Sequence, residues 1–331
     1  MKLENALAEI SKFEVENGVT EFHVMIHATR PEQTFQEQLD AVLNTYYNLL
    51  ETELKGASSV IKRYFLSDAA NQYETLIASV PEAPACACSV IEQAPLNGTK
   101  VALWAYLQTD IGCGTFNNGL YRVQHGAYTH LWGGSAVAQA PDSEEQTSLL
   151  LKDYVMQLLA NGGRLAENCV RTWFFVQNVD VNYAGVVKAR NEEFYTQNLT
   201  SKTHFISSTG INGRNANPDA LVQLDTYAVL GIKPVLHTDS EGKLTPVSKA
   251  RGSKGALRAL VDKMEELGIE PEKNQPVFIC HANCPDYVAY VKELLKERFN
   301  VTDVRADFIG PVIGAHTGCG TLGLFFVGTK R

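Results

Sequence analysis

The stretch CVRTWFFVQNVDVNYAGVVKARNEEFY (169–195) contains a strand pattern followed directly by a helix pattern. Its first part, CVRTWFFV (169–176), is rich in β-branched and aromatic residues, and this composition predicts a strand. The remainder predicts a helix over about Val181–Gln197. A strand and a helix joined in this order form the basic unit of α/β domains, so the stretch predicts a mixed α/β (α+β) fold.

The same order of elements is found about 110 residues earlier, in SVIKRYFLSDAANQYETL (59–76), where Val60 corresponds to Val170. A regular spacing between similar segments indicates an internal duplication, while chance similarity between α/β elements is the alternative. The sequence therefore predicts two repeats, over 1–115 and 116–230.

The other elements of these repeats follow from local signals. Thr34 and Glu37 form a capping-box pattern, which predicts a helix that begins at Phe35 and runs to about Leu54. Apolar runs bounded by turn residues predict the strands. Strands are predicted over 22–27, 59–66, 87–92, 101–107, 130–135, 205–209 and 221–229, and further helices over 69–79 and 143–160.

The sequence changes in character after Gly231, so we place a boundary within 229–233 and a third unit over 231–331. The final stretch of this unit, IGPVIGAHTGCGTLGLFFVGT (309–329), is rich in glycine and apolar residues. Repeated glycines indicate a close approach of the backbone to a ligand or to another backbone. The unit is predicted to contain strands over 232–237, 277–282 and 301–307, a turn over 240–244, and helices over 252–267 and 285–298.

The composition excludes several classes of protein. The chain has 331 residues, of which 45% are hydrophobic and 20% charged, as in ordinary globular domains. Its net charge of −8 disfavours nucleic acid as a partner, because phosphate binding needs a basic face. No apolar run is long enough to span a membrane, and the N-terminus lacks the pattern of a signal peptide. Seven scattered cysteines, an odd number, predict free thiols and a cytoplasmic protein.

Three segments of the first 229 residues carry a resemblance to a known family: HLWGGS (130–135), the stretch 169–195 and LVQLDTYAV (221–229). They resemble the Rid/YjgF family, and more narrowly its duplicated, chorismatase-like members. The resemblance implies ferredoxin-like or chorismate-mutase-like repeats. It also implies a homo-oligomer with ligand sites between neighbouring units.

The chain departs from the deaminase branch of that family, which hydrolyses enamines and imines with an arginine and a downstream glutamate. In the second repeat, Ile206 or Ser207 stands at the arginine position and Gln223 at the glutamate position. In the first repeat these positions carry Cys86 and Ala102. No such side chain reproduces the bidentate bonds of a guanidinium, so imine hydrolysis is not expected.

Three segments of the last third carry a second resemblance: 232–252, ICHANCP (279–285) and IGPVIGAHTGCGTLG (309–323). They resemble the C-terminal domain of the DegV family of fatty-acid-binding proteins. The last segment is the most specific of the three, with Cys319 at the place of a proline in the family signature. The first resemblance ends and the second begins near residue 230. The chain is therefore predicted to be a fusion of parts of two families.

The DegV resemblance implies a site for the carboxylate of a long-chain fatty acid. At the matching positions, His316, Thr317 and Gly318 hold the carboxylate, and Arg251 faces the head group or a fatty-acid kinase-like partner. The N-terminal domain of that family supplies further head-group contacts and half of the acyl tunnel, and it has no counterpart in residues 1–230. The resemblance therefore implies a half-built site.

A zinc site is the competing interpretation of the last third. Cys280, His281 and Cys284, with His316 and Cys319 downstream, are residue types that bind zinc tetrahedrally. However, adjacent residues of a strand point to opposite faces, which separates the first two of these side chains. We therefore predict neither a metal nor a cofactor.

The Rid-like repeats contain a second group of candidate site residues. Arg122 and His130 flank strand ends where Rid-like sites gather polar groups, and Arg171 and Arg190 add to this set. Surface arginines and core aromatic residues are the structural alternative. Cys113, in a glycine loop, is a candidate nucleophile, although a catalytic thiol needs a lowered pKa.

The leading functional prediction is binding of a fatty-acid carboxylate by residues 231–331. One alternative is a Rid-like hydrolase or chorismatase-like enzyme acting at the repeat interface. The other is a fusion in which neither site functions. The retained His-Thr-Gly motif favours binding, and the absent Rid residues disfavour catalysis.

Overall fold

The computed structural model describes residues 2–14, 19–80, 86–112, 114–125, 128–201, 203–238, 244–273, 275–310, 313 and 320–329. The chain divides into two compact units, Met1–Leu230 and Gly231–Arg331. Each unit combines sheets with helices, so the α/β fold class is confirmed.

The first unit begins with a six-stranded sheet, ordered β1-β2-β3-β6-β4-β5. Strands β4 and β5 are parallel, and the other neighbours are antiparallel. The elements are β1 (Lys2–Leu3), β2 (Ala6–Glu14), β3 (Thr20–Ala28), α1 (Phe35–Glu51), β4 (Ala57–Leu66), α2 (Ala69–Ser79), β5 (Ala87–Glu92) and β6 (Val101–Thr109).

A second six-stranded sheet completes the first unit, and its order is β11-β10-β12-β9-β8-β7. Its elements are β7 (Thr115–Asn117), β8 (Leu120–His125), β9 (Tyr128–Val137), α3 (Ser143–Ala160), α4 (Leu165–Asn168), β10 (Cys169–Val176), α5 (Val179–Thr196), β11 (Ser207–Asn212) and β12 (Val222–Leu230). The order β9-β12-β10-β11 repeats the order β3-β6-β4-β5 of the first sheet. The two sheets therefore have the same topology, as expected for duplicated halves.

Each sheet buries one face under its own helices. In the first half, the predicted apolar stripe of α1, which includes Leu39 and Val42, packs on Val24 and Leu103 of the sheet. In the second half, α3 and α5 cover a face that carries Phe174 and Leu224, among others. The opposite faces of the two sheets meet each other, and no helix of the described residues lies between them.

The second unit has a two-stranded ribbon, β13-β14, and a three-stranded sheet, β16-β15-β17. Its elements are β13 (Ile232–Thr238), β14 (Leu244–Arg251), α6 (Gly252–Leu267), a short 3-10 helix (Pro271–Lys273), β15 (Val277–His281), α7 (Pro285–Phe299), β16 (Val304–Phe308) and β17 (Leu322–Phe325). Apolar residues of α6, α7 and β15 form one buried core. Among the described helices of the chain, none is both long and apolar enough to cross a membrane.

Several predicted boundaries were wrong by two or three residues. The strand predicted over 205–209 is Ser207–Asn212, the one predicted over 301–307 is Val304–Phe308, and α1 ends at Glu51. Strands β1, β2, β7, β8, β14 and β17 were not predicted. Alanine is a weak strand former at the buried positions of β2, and a proline interrupts the pattern of β14. Most of the turn predicted over 240–244 lies outside the described residues.

The start of α1 shows the predicted capping box in full. The Glu37 N–H donates to Thr34 Oγ1 over 3.3 Å, and the Thr34 N–H donates to Glu37 Oε2 over 2.8 Å. Two N–H groups at the helix terminus that lack partners within the helix are thus satisfied by side chains.

Replacing Thr34 by alanine is expected to lower the free energy of unfolding by about 1 kcal/mol, because the cap is lost. Thr52→Ala is the matched control, since the Thr52 hydroxyl donates only to the Asn48 carbonyl of the same helix. That control is expected to change stability by less than about 0.5 kcal/mol. Urea denaturation followed by circular dichroism measures both, and equal losses would contradict the capping argument.

Candidate functional site

The residues predicted to hold a fatty-acid carboxylate lie largely beyond the described part of the chain. His316, Thr317 and Gly318 are outside the described residues, and so is Cys319. Arg251 is the last residue of β14, and its backbone pairs with that of Ile232. Their role in a carboxylate site stays a prediction.

The three-stranded sheet of the second unit carries buried side chains on one face and half-exposed side chains on the other. Val277 and Ile279 of β15 are buried with α6 and α7. Successive side chains of a strand alternate, so Phe278 lies on the opposite face, beside its cross-strand neighbour Phe325 of β17. Phe278 is 49% exposed and Phe325 55%. These two rings form an apolar surface that we call the phenylalanine face.

The two described cysteines of the alternative zinc interpretation lie on different elements of the second unit. Cys280 lies on β15, opposite Gly323 of β17, and burial raises the pKa of its thiol. Cys284 precedes α7, its N–H donates to His281 Nδ1 over 3.3 Å, and its thiol contacts the Thr321 carbonyl oxygen. Within the described ranges, no group of three or more histidine, cysteine or acidic side chains is arranged to hold a metal ion.

In the first unit, the helix-free faces of the two sheets come together at β5 and β9. The Val90 N–H of β5 donates to Ser135 Oγ of β9 over 2.8 Å. A Cβ atom added to Gly134 would lie 2.4 Å from the Cys88 carbonyl oxygen. The second glycine of HLWGGS is thus required by close contact between the two sheets, the kind of close approach that glycine permits.

A buried ion pair joins the two sheets. Arg63 of β4 donates to Asp225 Oδ2 of β12 through Nη2 over 2.7 Å and through Nε over 3.1 Å. Arg63 is 8% exposed and Asp225 is 0% exposed. The Ser135 N–H satisfies the other carboxylate oxygen over 2.8 Å. The Trp104 and Trp173 rings each lie 5.3 Å from the guanidinium carbon.

The two halves carry complementary residues at matching positions around this pair. Arg63 of the first half corresponds to Trp173 of the second, and Trp104 corresponds to Asp225. The ion pair and the contact of Arg63 with Trp173 therefore form only when a first half meets a second half, whereas Trp104 lies in the same half as Arg63. Because the two halves carry different residues at these positions, a first half is expected to pair with a second half rather than with another first half.

A second group of residues, which we call the interface cluster, adjoins the ion pair. It contains Tyr106 and Gln108 of β6 and His130, Trp132 and Tyr227 of the second sheet. Trp132 stacks on Tyr227 with ring centroids 4.0 Å apart, and Tyr106 lies 5.5 Å from Trp132. His130 Nδ1 is 2.8 Å from the Tyr227 hydroxyl. The Gln108 amide N–H donates to the Tyr106 hydroxyl over 2.8 Å.

Burial controls the electrostatics of the interface cluster. It lowers the pKa of His130 to about 4, and His125 acts in the same direction, while Glu21 opposes both. The imidazole is therefore neutral at neutral pH. Burial also raises the pKa of Tyr106 and Tyr227 above the range of ordinary phenols, so both hydroxyls stay protonated.

The structure brings together only part of the second predicted site. His130 belongs to the interface cluster, and Arg171 lies on the same face of the sheet, where it stacks on Trp173 at 4.9 Å and donates to Thr209 Oγ1. Arg122 is exposed and points to the opposite face of β8. Arg190 lies on α5, where it contacts Asn191.

The positions compared with the Rid deaminases are mostly buried. Cys86 is buried, and burial raises the pKa of its thiol to about 11. Gln223 is buried and donates to Ser89 Oγ over 3.2 Å, which ties the two sheets together. Cys113, the candidate nucleophile, lies outside the described residues.

Comparison with known proteins gives different relatives for different parts of the chain. Residues 227–329 match a family model described as "Uncharacterised protein, DegV family". A DegV domain-containing protein of Clostridium perfringens is 39% identical over 104 residues, which cover 31% of this chain and 35% of that protein. One from Streptococcus pyogenes is 32% identical over 131 residues, 38% of this chain and 44% of that protein. The chain thus spans about a third to less than a half of these relatives.

The solved structures similar to this chain include members of the other family named from the sequence. A member of the YjgF family from Neisseria meningitidis has a TM-score of 0.29 and 16% identity, and the match covers 36% of this chain and 94% of that one. A YjgF/YER057c/UK114 member from Mycobacterium tuberculosis has a TM-score of 0.26 and 19% identity, covering 32% and 82%. A chorismatase has a TM-score of 0.37 and 9% identity, covering 76% and 87%.

Proposed function

We propose that the unit Gly231–Arg331 binds a long-chain fatty acid. The observation that carries this proposal is the similarity of residues 227–329 to DegV domains, together with the intact His-Thr-Gly sequence at 316–318. In this proposal the fatty-acid carboxylate is held at the His-Thr-Gly turn, and the acyl chain lies on apolar surface of the same unit.

The head group of the ligand is an anion, and the proposed residues supply suitable donors. His316 and the backbone N–H groups of Thr317 and Gly318 would donate hydrogen bonds to the carboxylate. Arg251 would add a positive charge near the head group. A kinase that phosphorylates the bound carboxylate would be the partner, because Arg251 would then face both the ligand and that enzyme.

The acyl chain needs an apolar surface that is not already occupied. The phenylalanine face offers such a surface, because its two rings lie side by side on neighbouring strands and are about half exposed. Large apolar side chains placed together on a surface mark ligand-binding or protein-binding sites. Covering them with methylene groups would remove apolar area from water on both partners.

Replacing His316 by alanine is expected to weaken fatty-acid binding by about 10- to 150-fold, the range for one charge-assisted hydrogen bond to a partly buried carboxylate. The measurement is a titration of the full chain with a fluorescent long-chain fatty acid. His204→Ala is the matched control, since His204 is exposed in the other unit and contacts only the Ala166 carbonyl oxygen.

Two outcomes would count against this proposal. Identical titration curves for the wild type and His316→Ala would show that His316 does not contact the fatty acid, although the acyl chain would still bind. The absence of saturable binding in the wild type would refute the proposed function as a whole.

A further inference from the structure

Three polar atoms of the interface cluster are buried without a hydrogen-bond partner among the described residues: Gln108 Oε1, His130 Nε2 and Trp132 Nε1. Gln108 is 1% exposed, and the other two residues are also buried. Leaving a buried polar atom without a partner costs free energy, so native proteins seldom do it. Three such atoms in one group of contacting side chains leave hydrogen-bonding capacity that a ligand could take up.

A carboxylate lies beside the cluster. The carboxylate of Glu21, on β3, accepts a hydrogen bond from the Gln108 amide over 3.3 Å, and no lysine or arginine of the described residues pairs with it. Glu21 acts electrostatically on His130 and Tyr227 across the boundary between the sheets. The buried Arg63 is already neutralised by Asp225. Arg171, opposite Tyr227 in the sheet, stacks on Trp173 and donates to Thr209 Oγ1.

We propose that the interface cluster binds a small primary ammonium ion, with Glu21 as the counter-charge, Gln108 Oε1 as a hydrogen-bond acceptor, and the rings of Tyr106 and Trp132 as the walls. An ammonium group has three N–H donors and no acceptor, which suits a site rich in acceptors. Aromatic faces attract cations, and they do so more strongly where water is excluded.

The neutral imidazole of His130 supplies a third acceptor. When its Nδ1–H donates to the Tyr227 hydroxyl, Nε2 carries a lone pair that the ammonium group can use. The Trp132 N–H remains for an oxygen atom elsewhere in the same ligand. This site is separate from the phenylalanine face, so it does not depend on the fatty-acid proposal.

The three tryptophans of the chain make the site directly observable. Trp104, Trp132 and Trp173 all lie where the two sheets meet, so intrinsic fluorescence reports on this interface. The full chain is titrated with n-butylammonium, with 1-butanol as the neutral analogue and with butyrate as the anionic analogue. Saturable quenching is expected with n-butylammonium, which should also raise the melting temperature.

Glu21→Gln keeps the shape of the side chain and removes its charge, and it is expected to weaken n-butylammonium binding by about tenfold or more. Glu9→Gln is the matched control, because Glu9 is an exposed glutamate on the neighbouring strand β2. Equal responses to n-butylammonium and 1-butanol would overturn the proposal. Saturation by butyrate, or unchanged binding in Glu21→Gln, would do so as well.

Discussion

Replacing Arg63 by methionine is expected to lower the free energy of unfolding of the first unit by about 3–5 kcal/mol. The substitution leaves Asp225, which is fully buried, without its cation. An uncompensated buried charge is far more costly than the net stabilisation that the intact pair supplies. Urea denaturation followed by tryptophan fluorescence measures the loss, since all the tryptophans lie at this interface.

Two further variants separate the ion pair from a general effect of losing an arginine. Arg30→Met removes an exposed arginine whose contact with Glu32 is 3.8 Å, and it is expected to cost less than about 1 kcal/mol. Adding Asp225→Asn to Arg63→Met removes the stranded charge and is expected to recover most of the loss. A loss below about 1 kcal/mol in Arg63→Met would contradict the role given to the pair.

Elements whose signals come from residues close together in the sequence could be predicted. Helix α1 begins where Thr34 and Glu37 form their reciprocal cap, and α2 and α3 have the predicted bounds. Each of these signals lies within one or two helical turns. Strand β14 shows the limit, because its partner in the ribbon, rather than its own composition, stabilises a proline-containing segment.

The residues that join the two halves could not be assigned in the same way. Arg63 and Asp225 are 162 positions apart, and one sequence shows no sign that they meet. A signal was nevertheless present, because each is a charged residue at a buried position of a strand rich in apolar residues. Charged residues are seldom fully buried unless they are paired, so each one implied a partner elsewhere. The close contact at Gly134 was not predicted either, although a glycine at the end of a strand is a signal for such an approach.

Shortening the ligand from palmitate to laurate, which has four fewer methylenes, is expected to weaken binding by up to about 200-fold. This upper value applies if every methylene is fully buried, at about 0.8 kcal/mol each. A chain lying on an open surface buries about half of its area, which reduces the expected ratio to about 15-fold. The ratio therefore measures how far the acyl chain is enclosed.

A substitution on the phenylalanine face tests whether the acyl chain lies on that surface. Phe278→Asn is expected to reduce the ratio between palmitate and laurate, because the outer methylenes lose their contact. Phe13→Asn is the matched control, since Phe13 is an exposed phenylalanine in the other unit. An unchanged ratio in Phe278→Asn would place the acyl chain elsewhere on the unit while leaving the carboxylate site open to test.

The central claim is that residues 231–331 bind a fatty acid by both its carboxylate and its chain. Isothermal titration of the full-length chain with palmitate, laurate and 1-hexadecanol tests both halves of this claim in one series. We expect saturable binding of one palmitate, at least about tenfold tighter than laurate and tighter than the alcohol, which lacks the carboxylate. Equal affinities for the three ligands, or no saturable binding of palmitate, would contradict it.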